Sequence, residues 1–191
     1  MKKSRLEAFS DGVLAIIITI MVLELKVPHE PTLAGLQPLW PVFASYAISF
    51  VMVGIYWNNH HHLWQAVERV NGPVLWANLH LLFWLSLMPF GTAWIGENTF
   101  AAAPVAVYGV ILLCAGCAYY ILERVLIAHH GADSVLARAV GKGVKDKLSL
   151  VIYLLAIPLA FVQPWLSCAL YVTVAIIWLV PDRRIERVLQ G

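Results

Sequence analysis

Charged side chains are scarce in this chain of 191 residues, because Asp, Glu, Lys and Arg together make up only 13% of it. Soluble domains carry about 25% charged residues on average. Hydrophobic residues reach 61%, and the mean hydropathy is +0.77. This shortage of charge excludes an ordinary soluble domain and indicates an integral membrane protein.

Cysteine is also rare, and Cys114, Cys117 and Cys168 all lie inside apolar runs. The first two have C-x-x-C spacing, but the stretch lacks the βαβ context and the polar surroundings of a redox or metal motif. We interpret all three as small residues that pack between helices. The chain also lacks a long basic run and zinc-finger spacing, so nothing indicates a nucleic-acid partner.

Uncharged stretches mark the expected membrane spans. Between Lys147 and Asp182 lie roughly 34 uncharged positions, about 51 Å of helix, which is too long for one crossing of a core about 30 Å thick. Pro164 in "FVQPWL" supplies a break, and Pro89 and Pro158 are expected to kink the spans that contain them. The sequence predicts one all-α domain over residues 1–191, with six transmembrane helices at about 5–26, 38–63, 73–95, 103–128, 147–162 and 165–181.

The basic residues sort to one side of this arrangement. All of them except Lys26 fall on the face that carries both termini. They are Lys2, Lys3, Arg5, Arg69, Arg124, Arg138, Lys142, Lys145, Lys147, Arg183, Arg184 and Arg187. The positive-inside rule therefore predicts a multi-pass protein of the cytoplasmic (inner) membrane with both termini in the cytoplasm. The basic loop between the fourth and fifth helices is expected to set this topology and to touch anionic membrane lipid.

The N-terminus also imitates a secretory signal peptide, because basic residues precede the apolar run 12–23. Glu7 and Asp11 interrupt that approach, and no A-x-A-like cleavage site follows Leu25. Cleavage would leave five spans and spoil the sorting of charge. We therefore expect the first helix to be retained.

Acidic residues set a constraint on the first helix. About 12 residues separate Asp11 from Glu24, which is roughly 18 Å of helix against a hydrocarbon core of about 30 Å. The two acids must lie near the membrane boundaries or within them, and there they face protein or water rather than lipid. Glu24 reaches solvent beside Lys26 at the outer end. Asp11, beside Ser10, needs a partner or a wet cavity.

An aliphatic stripe follows Asp11 on the same helix. Ile16, Ile20 and Leu23 recur at helical spacing, Thr19 borders them, and Asp11 points roughly 140° away from Ile16. Such a stripe is more often ordinary packing than a pore lining. A threonine in an apolar run usually hydrogen-bonds to its own helix. Periodicity alone leaves both interpretations open.

Three sequence motifs resemble a known family. They are "R-x-x-x-FSDGVLAIIITIMVLELKVP", which begins at Arg5, "YWNNHHHLW" at 56–64 and "NLHLLFWLSLMPF" at 78–90. Together they resemble the lysosomal potassium channel family, transmembrane protein 175, and the six-helix length looks like its bacterial single-repeat members. The resemblance covers the first three helices specifically, and the last three helices match only in number and hydrophobicity.

The resemblance implies a homotetrameric, potassium-preferring cation channel that needs no cofactor and passes potassium ions along the oligomer axis. The first helix of each subunit would line the pore. Ile16 would match the narrow hydrophobic ring, with Ile20 and Leu23 as further rings. Thr19 would match a position whose hydroxyl favours potassium over sodium.

The resemblance also implies a polar network that ties the pore helix to its neighbours. Its motif residues and their candidate partners are Arg5, Phe9, Ser10, Asp11, Trp57, His61, Asn78 and His80. Potassium channels at large use a TVGYG-type loop of backbone carbonyls. The nearest string here, "AVYGV" at 106–110, lacks the threonine and the first glycine and is predicted to lie inside a helix. We therefore expect side-chain rings to gate the channel and to set its selectivity.

Other functions compete with this interpretation. A secondary transporter or proton pathway would use Asp11 and His80 as a relay. A membrane enzyme would bind a metal at His60–His62, although consecutive helical residues point about 100° apart and do not converge on one ion. His129 and His130 precede the basic loop, and we interpret them as solvated loop histidines.

Overall fold

The computed structural model describes residues 2–140 and 143–179. Within these ranges the chain is helical and contains no β-strand. The helices are α1 (Lys3–Met21), α2 (Trp40–Gln65), α3 (Gly72–Ser86), α4 (Met88–Glu97), α5 (Ala102–His130), α6 (Val135–Val140), α7 (Val144–Leu159) and α8 (Pro164–Leu179). The predicted end of the last helix at 180–181 lies outside the described residues, as do Lys142, Arg183, Arg184 and Arg187.

Within the part of the chain that the structure describes, four helical stretches are long and apolar enough to cross a membrane. They are Lys3–Glu24, Leu33–Gln65, Gly72–Glu97 and Ala102–His130. The described part of α8 is apolar but has 16 residues, which is fewer than the roughly 20 that a perpendicular span needs. α7 also has 16 residues and begins with Val144, next to three charged side chains.

Short 3₁₀ turns continue two of these helices beyond their α-helical bounds. The turn Val22–Glu24 extends α1 at its C-terminal end, and the turn Leu33–Leu39 leads into α2. α2 carries Pro41 in its first turn, where the missing N–H has no intrahelical partner to lose.

The predicted third span is divided in the structure. α3 ends at Ser86, α4 begins at Met88, and Leu87 adopts φ −85° and ψ −8° between them. Pro89 has no N–H to donate to a preceding carbonyl, and this interrupts the helical hydrogen-bond ladder at this point. Asn71 starts α3, because its Oδ1 accepts from the backbone N–H of Val74 at 3.0 Å.

α5 lies at the centre of the subunit and packs against α3, α4, α7 and α8. Its fully buried residues include Val105, Leu112 and Leu122. Glycines let neighbouring helices approach closely: a Cβ on Gly96 of α4 would lie 2.9 Å from Val42 Cα of α2. Small residues at such crossings allow the backbone-to-backbone packing that membrane helices use.

α1 lies at the edge of this bundle, in contact with α2, α3 and α4. It uses one narrow face for these contacts. The buried residues on that face are Leu6, Ser10, Leu14, Ile17 and Met21. Their spacing of three or four residues follows one side of a helix, so the described helices leave the opposite side of α1 largely uncovered.

Candidate functional site

The uncovered side of α1 carries the aliphatic stripe. Ile16 is 58% exposed, Ile20 is 44% exposed and Leu23 is 75% exposed in the single subunit. Phe9 lies seven positions before Ile16, on the same face, and is 51% exposed. The exposed face of α1 therefore carries an apolar strip that the described helices leave largely uncovered.

The strip changes in bulk along its length. Its N-terminal half includes the small exposed residues Gly12 and Ala15, and a Cβ on Gly12 would meet nothing within 4 Å. From Ile16 to Leu23 the exposed positions carry larger side chains. Ile16 is thus the first branched aliphatic side chain after Gly12 that is exposed on this face.

Thr19 is exposed on the same face. Its Oγ1 lies 3.0 Å from the carbonyl oxygens of both Ala15 and Ile16, one turn earlier in the helix. A hydroxyl has one hydrogen, so it donates to one of these carbonyls at a time and keeps its acceptor lone pairs outward. The local hydrogen bond and an exposed acceptor oxygen therefore coexist at Thr19.

Ser10 anchors the opposite side of α1 to two other helices. Its hydroxyl donates to the Leu6 carbonyl at 2.9 Å and accepts from Asn78 Nδ2 of α3 at 2.9 Å. Asn78 Oδ1 in turn lies 2.8 Å from His60 Nε2 of α2. All three polar side chains are buried. This chain fixes the rotation of α1 relative to α2 and α3.

His60 Nε2 takes part in two contacts that require different tautomers. It lies 2.8 Å from Asn78 Oδ1 and 2.7 Å from Trp64 Nε1. Trp64 Nε1–H donates to His60 Nε2, which requires this nitrogen to be unprotonated, whereas the contact with Asn78 Oδ1 requires a proton on it. Trp64 is fully buried, so His60 lies in a buried polar group that joins α2 to α3.

Asp11 has a separate partner at the edge of the subunit. Trp57 Nε1–H of α2 donates to Asp11 Oδ1 at 3.1 Å, and the Trp57 ring stacks on His61 at 6.1 Å between centroids. His61 Nε2 also lies 3.0 Å from Gln65 Nε2. Asp11 and Trp57 are both exposed in the single subunit.

Not every predicted network residue joins these contacts. His80 lies two positions after Asn78, so its side chain points about 200° away from that of Asn78 around α3. His80 is exposed, and its Nε2 accepts from Trp84 Nε1 of the same helix at 3.0 Å. Arg5 and Phe9 are exposed near the N-terminal end of α1. The structure thus brings Trp57 to Asp11 and Asn78 to Ser10, but it does not bring His80 to Asp11 or to Ser10.

A second polar cluster, which sequence reasoning missed, contacts the C-terminal half of α1. Thr92 Oγ1 of α4 lies 2.7 Å from both Ser49 Oγ and the Met88 carbonyl oxygen, and 3.6 Å from Met21 Sδ of α1. Ser49 Oγ lies 2.8 Å from Tyr108 Oη of α5. The exposed strip of α1 is therefore backed by polar contacts near both ends.

Substitution of Asn78 tests the chain of hydrogen bonds that runs from Ser10 through Asn78 to His60. We expect Asn78→Leu to destabilise the protein by about 1–3 kcal/mol, because it leaves Ser10 and His60 buried without their shared partner. The measurement is thermal unfolding of the purified protein in detergent. Asn58→Leu is the matched control, since Asn58 is half-buried on α2 and makes no side-chain hydrogen bond within the described residues. Equal unfolding midpoints for the two variants would contradict the anchoring role of Asn78.

Comparison with known proteins identifies the family. The model of the endosomal/lysosomal potassium channel TMEM175 matches residues 5–89. A potassium channel of Chryseobacterium sp. (strain P1-3) is 57% identical over 190 residues, which cover 100% of this chain and 99% of the relative. A potassium channel of Streptomyces collinus is 33% identical over 181 residues, covering 88% of this chain and 87% of the relative.

A solved structure agrees with the sequence comparisons. The crystal structure of a lysosomal potassium-selective channel TMEM175 homolog from Chamaesiphon minutus superposes with a TM-score of 0.80 at 29% identity, over 94% of this chain and 97% of the other. These relatives are ion channels rather than enzymes by name. The chain belongs to the TMEM175 channel family and matches its bacterial members over nearly their whole length.

Proposed function

We propose that this protein is a potassium-preferring cation channel whose pore runs along the axis of a homotetramer and is lined by α1. The observation that carries the proposal is the exposed strip of Ile16, Thr19, Ile20 and Leu23, on a helix whose other side is fixed by buried polar contacts. Because the back of α1 is anchored within the subunit, its front is free to meet the same strip of other copies.

Rings of aliphatic side chains suit a gate. Four copies of Ile16 around an axis would form a narrow apolar constriction, which excludes water and ions when it is closed. Ile20 and Leu23 would form wider or further rings toward the outside. The small residues Gly12 and Ala15 would leave an open inner entrance. Potassium is the permeant ion, and no cofactor is required.

Selectivity in this proposal comes from side chains. The "AVYGV" string at 106–110 lies within α5, where its backbone carbonyls belong to a continuous α-helix. The exposed Oγ1 of Thr19 is the polar atom of the strip nearest to Ile16, and a ring of four such oxygens would replace part of the hydration shell of potassium. Preference over sodium should therefore be modest.

The proposed topology has six spans in one domain. The spans are α1, α2, α3 together with α4, α5, α7 and α8. Both termini lie in the cytoplasm. Two contacts support it. Lys26 pairs with Glu97 at 3.1 Å, so the outer ends of α1 and α4 lie together. His130 at the end of α5 contacts the backbone of Glu68 and Arg69, so the α2–α3 turn lies on the opposite side with the basic loop. That loop would also contact membrane lipid.

The alternative of a transporter or proton pathway through Asp11 and His80 has less support. Asp11 is bonded to Trp57, and His80 faces away from it on α3. A metal centre at His60–His62 is equally unsupported, because His60 is committed to Asn78 while His61 contacts Trp57 and Gln65.

Ion selectivity is tested by the reversal potential of purified protein in planar bilayers with potassium on one side and sodium on the other. We expect a current whose reversal potential lies toward potassium equilibrium and shifts toward zero in Thr19→Val. Thr173→Val is the control, because Thr173 is exposed on α8 and makes the same kind of hydrogen bond to its own helix. A wild-type current without cation preference would contradict the proposal.

The gate is tested by polarity at Ile16. Ile16→Asn should make the constriction easier to wet and raise the single-channel conductance or open probability by about tenfold, equivalent to roughly 1.4 kcal/mol of the barrier. Ile121→Asn is the control, because Ile121 is 43% exposed and belongs to α5 rather than to the strip. Currents from Ile16→Asn that match those of wild type and of the control would rule out a gate at this residue.

A further inference from the structure

Two adjacent histidines at the end of α5 hold the turn between α2 and α3. His130 Nε2 accepts from the backbone N–H groups of Glu68 at 3.2 Å and Arg69 at 3.3 Å. His130 Nδ1 lies 2.9 Å from the carbonyl oxygen of Leu126. Both residues of the histidine pair are half-buried. The expectation of solvated loop histidines is therefore wrong for this pair.

The partners of His130 fix its protonation state. A carbonyl oxygen only accepts, so Nδ1 carries the proton and donates to Leu126. Backbone N–H groups only donate, so Nε2 must be unprotonated to accept from the turn. The geometry is that of a neutral imidazole, in which each ring nitrogen has one defined role.

His129 is fixed in the same way through Asn71. Asn71 Oδ1 is occupied by the N–H of Val74, so the group 3.0 Å from His129 Nδ1 is the donor Nδ2. His129 Nδ1 must therefore accept, which again requires a neutral ring. Protonation of either histidine would set an N–H group against another N–H group at hydrogen-bond distance.

The turn connects directly to the two helices that carry His60 and Asn78, the hydrogen-bonded partners that anchor Ser10 of α1. The backbone N–H of Val67 donates to the Trp64 carbonyl at 3.1 Å, and the Trp64 ring contacts His60. On the other side of the turn, the Asn71 cap begins the helix that carries Asn78. The contacts of the two histidines and the anchor of α1 thus involve the same two helices, α2 and α3.

We propose that His129 and His130 form a pH-sensitive latch, which holds the α2–α3 turn against α5 and which cytoplasmic acidification opens, lowering conduction. The proposal rests on the channel function proposed above. Histidine as a class changes charge between about pH 5 and 8. Other titratable or charged groups around the latch are Glu68 and Arg69 on the turn, and Asp133 and Arg138 on the segment after α5, all exposed.

The test compares a latch that does not titrate with one that is permanently open. The double variant His129→Gln with His130→Gln keeps acceptors that do not ionise in this range. His130→Phe keeps the ring shape but removes the acceptor. His29→Gln is the control, because His29 is exposed in the loop between α1 and α2, on the opposite side.

Currents are measured in bilayers with one side acidified at a time, from about pH 7.5 to about pH 5.5. The currents of wild type and of His29→Gln should fall by at least about threefold when the cytoplasmic side is acidified. The double glutamine variant should keep its current, and His130→Phe should be low at both pH values. A wild-type current that ignores cytoplasmic pH, or a double variant that falls as far as wild type, would overturn the latch.

Hydrogen exchange separates this proposal from the channel function. The amides of Glu68 and Arg69 should lose protection, relative to their intrinsic exchange rates, in acidified wild type but not in the double glutamine variant. If the protein conducts no potassium, the channel proposal fails and this measurement still decides the latch. Equal protection in wild type and variant at both pH values would exclude it.

Discussion

A buried serine on an apolar helix decides which side of that helix faces its own subunit. The Ser10 side chain is completely buried, so its hydroxyl has to find its partners in protein. It uses the Leu6 carbonyl and Asn78, and Asn78 reaches His60. Rotating α1 by even one residue position would carry Ser10 out of reach and move the aliphatic strip away from its present direction.

The Thr92 cluster extends the same constraint along the helix. Thr92 lies against Met21 while bonded to Ser49, so the C-terminal part of α1 is fixed relative to α2 and α4. Neither cluster involves Ile16 or Leu23. Anchoring and the proposed conduction path are therefore separated on opposite faces of one helix, which allows a gating side chain to change without loss of the fold.

Much of this architecture could be predicted from the sequence, because long uncharged stretches and prolines determine where membrane helices run and break. The division at Leu87 was harder, since Pro89 predicts a kink but not whether the helix resumes as a separate element. Within the histidine run, only packing shows that His60 faces Asn78, because the sequence does not set the rotation of α2. The Thr92 cluster gives no sequence signal, since isolated serine and threonine residues are common in apolar helices.

The central claim is that the exposed strip of α1 faces a water path shared by identical copies. It is tested by single cysteines at Ile16, Ile20 and Leu23, in a protein whose native cysteines are replaced by serine. Small aqueous thiol reagents should modify these positions and block ion flow, whereas a cysteine at Ile121 should leave the current unchanged. If the reagents leave the current unchanged with cysteines along the strip, as they do with the cysteine at Ile121, the account is contradicted.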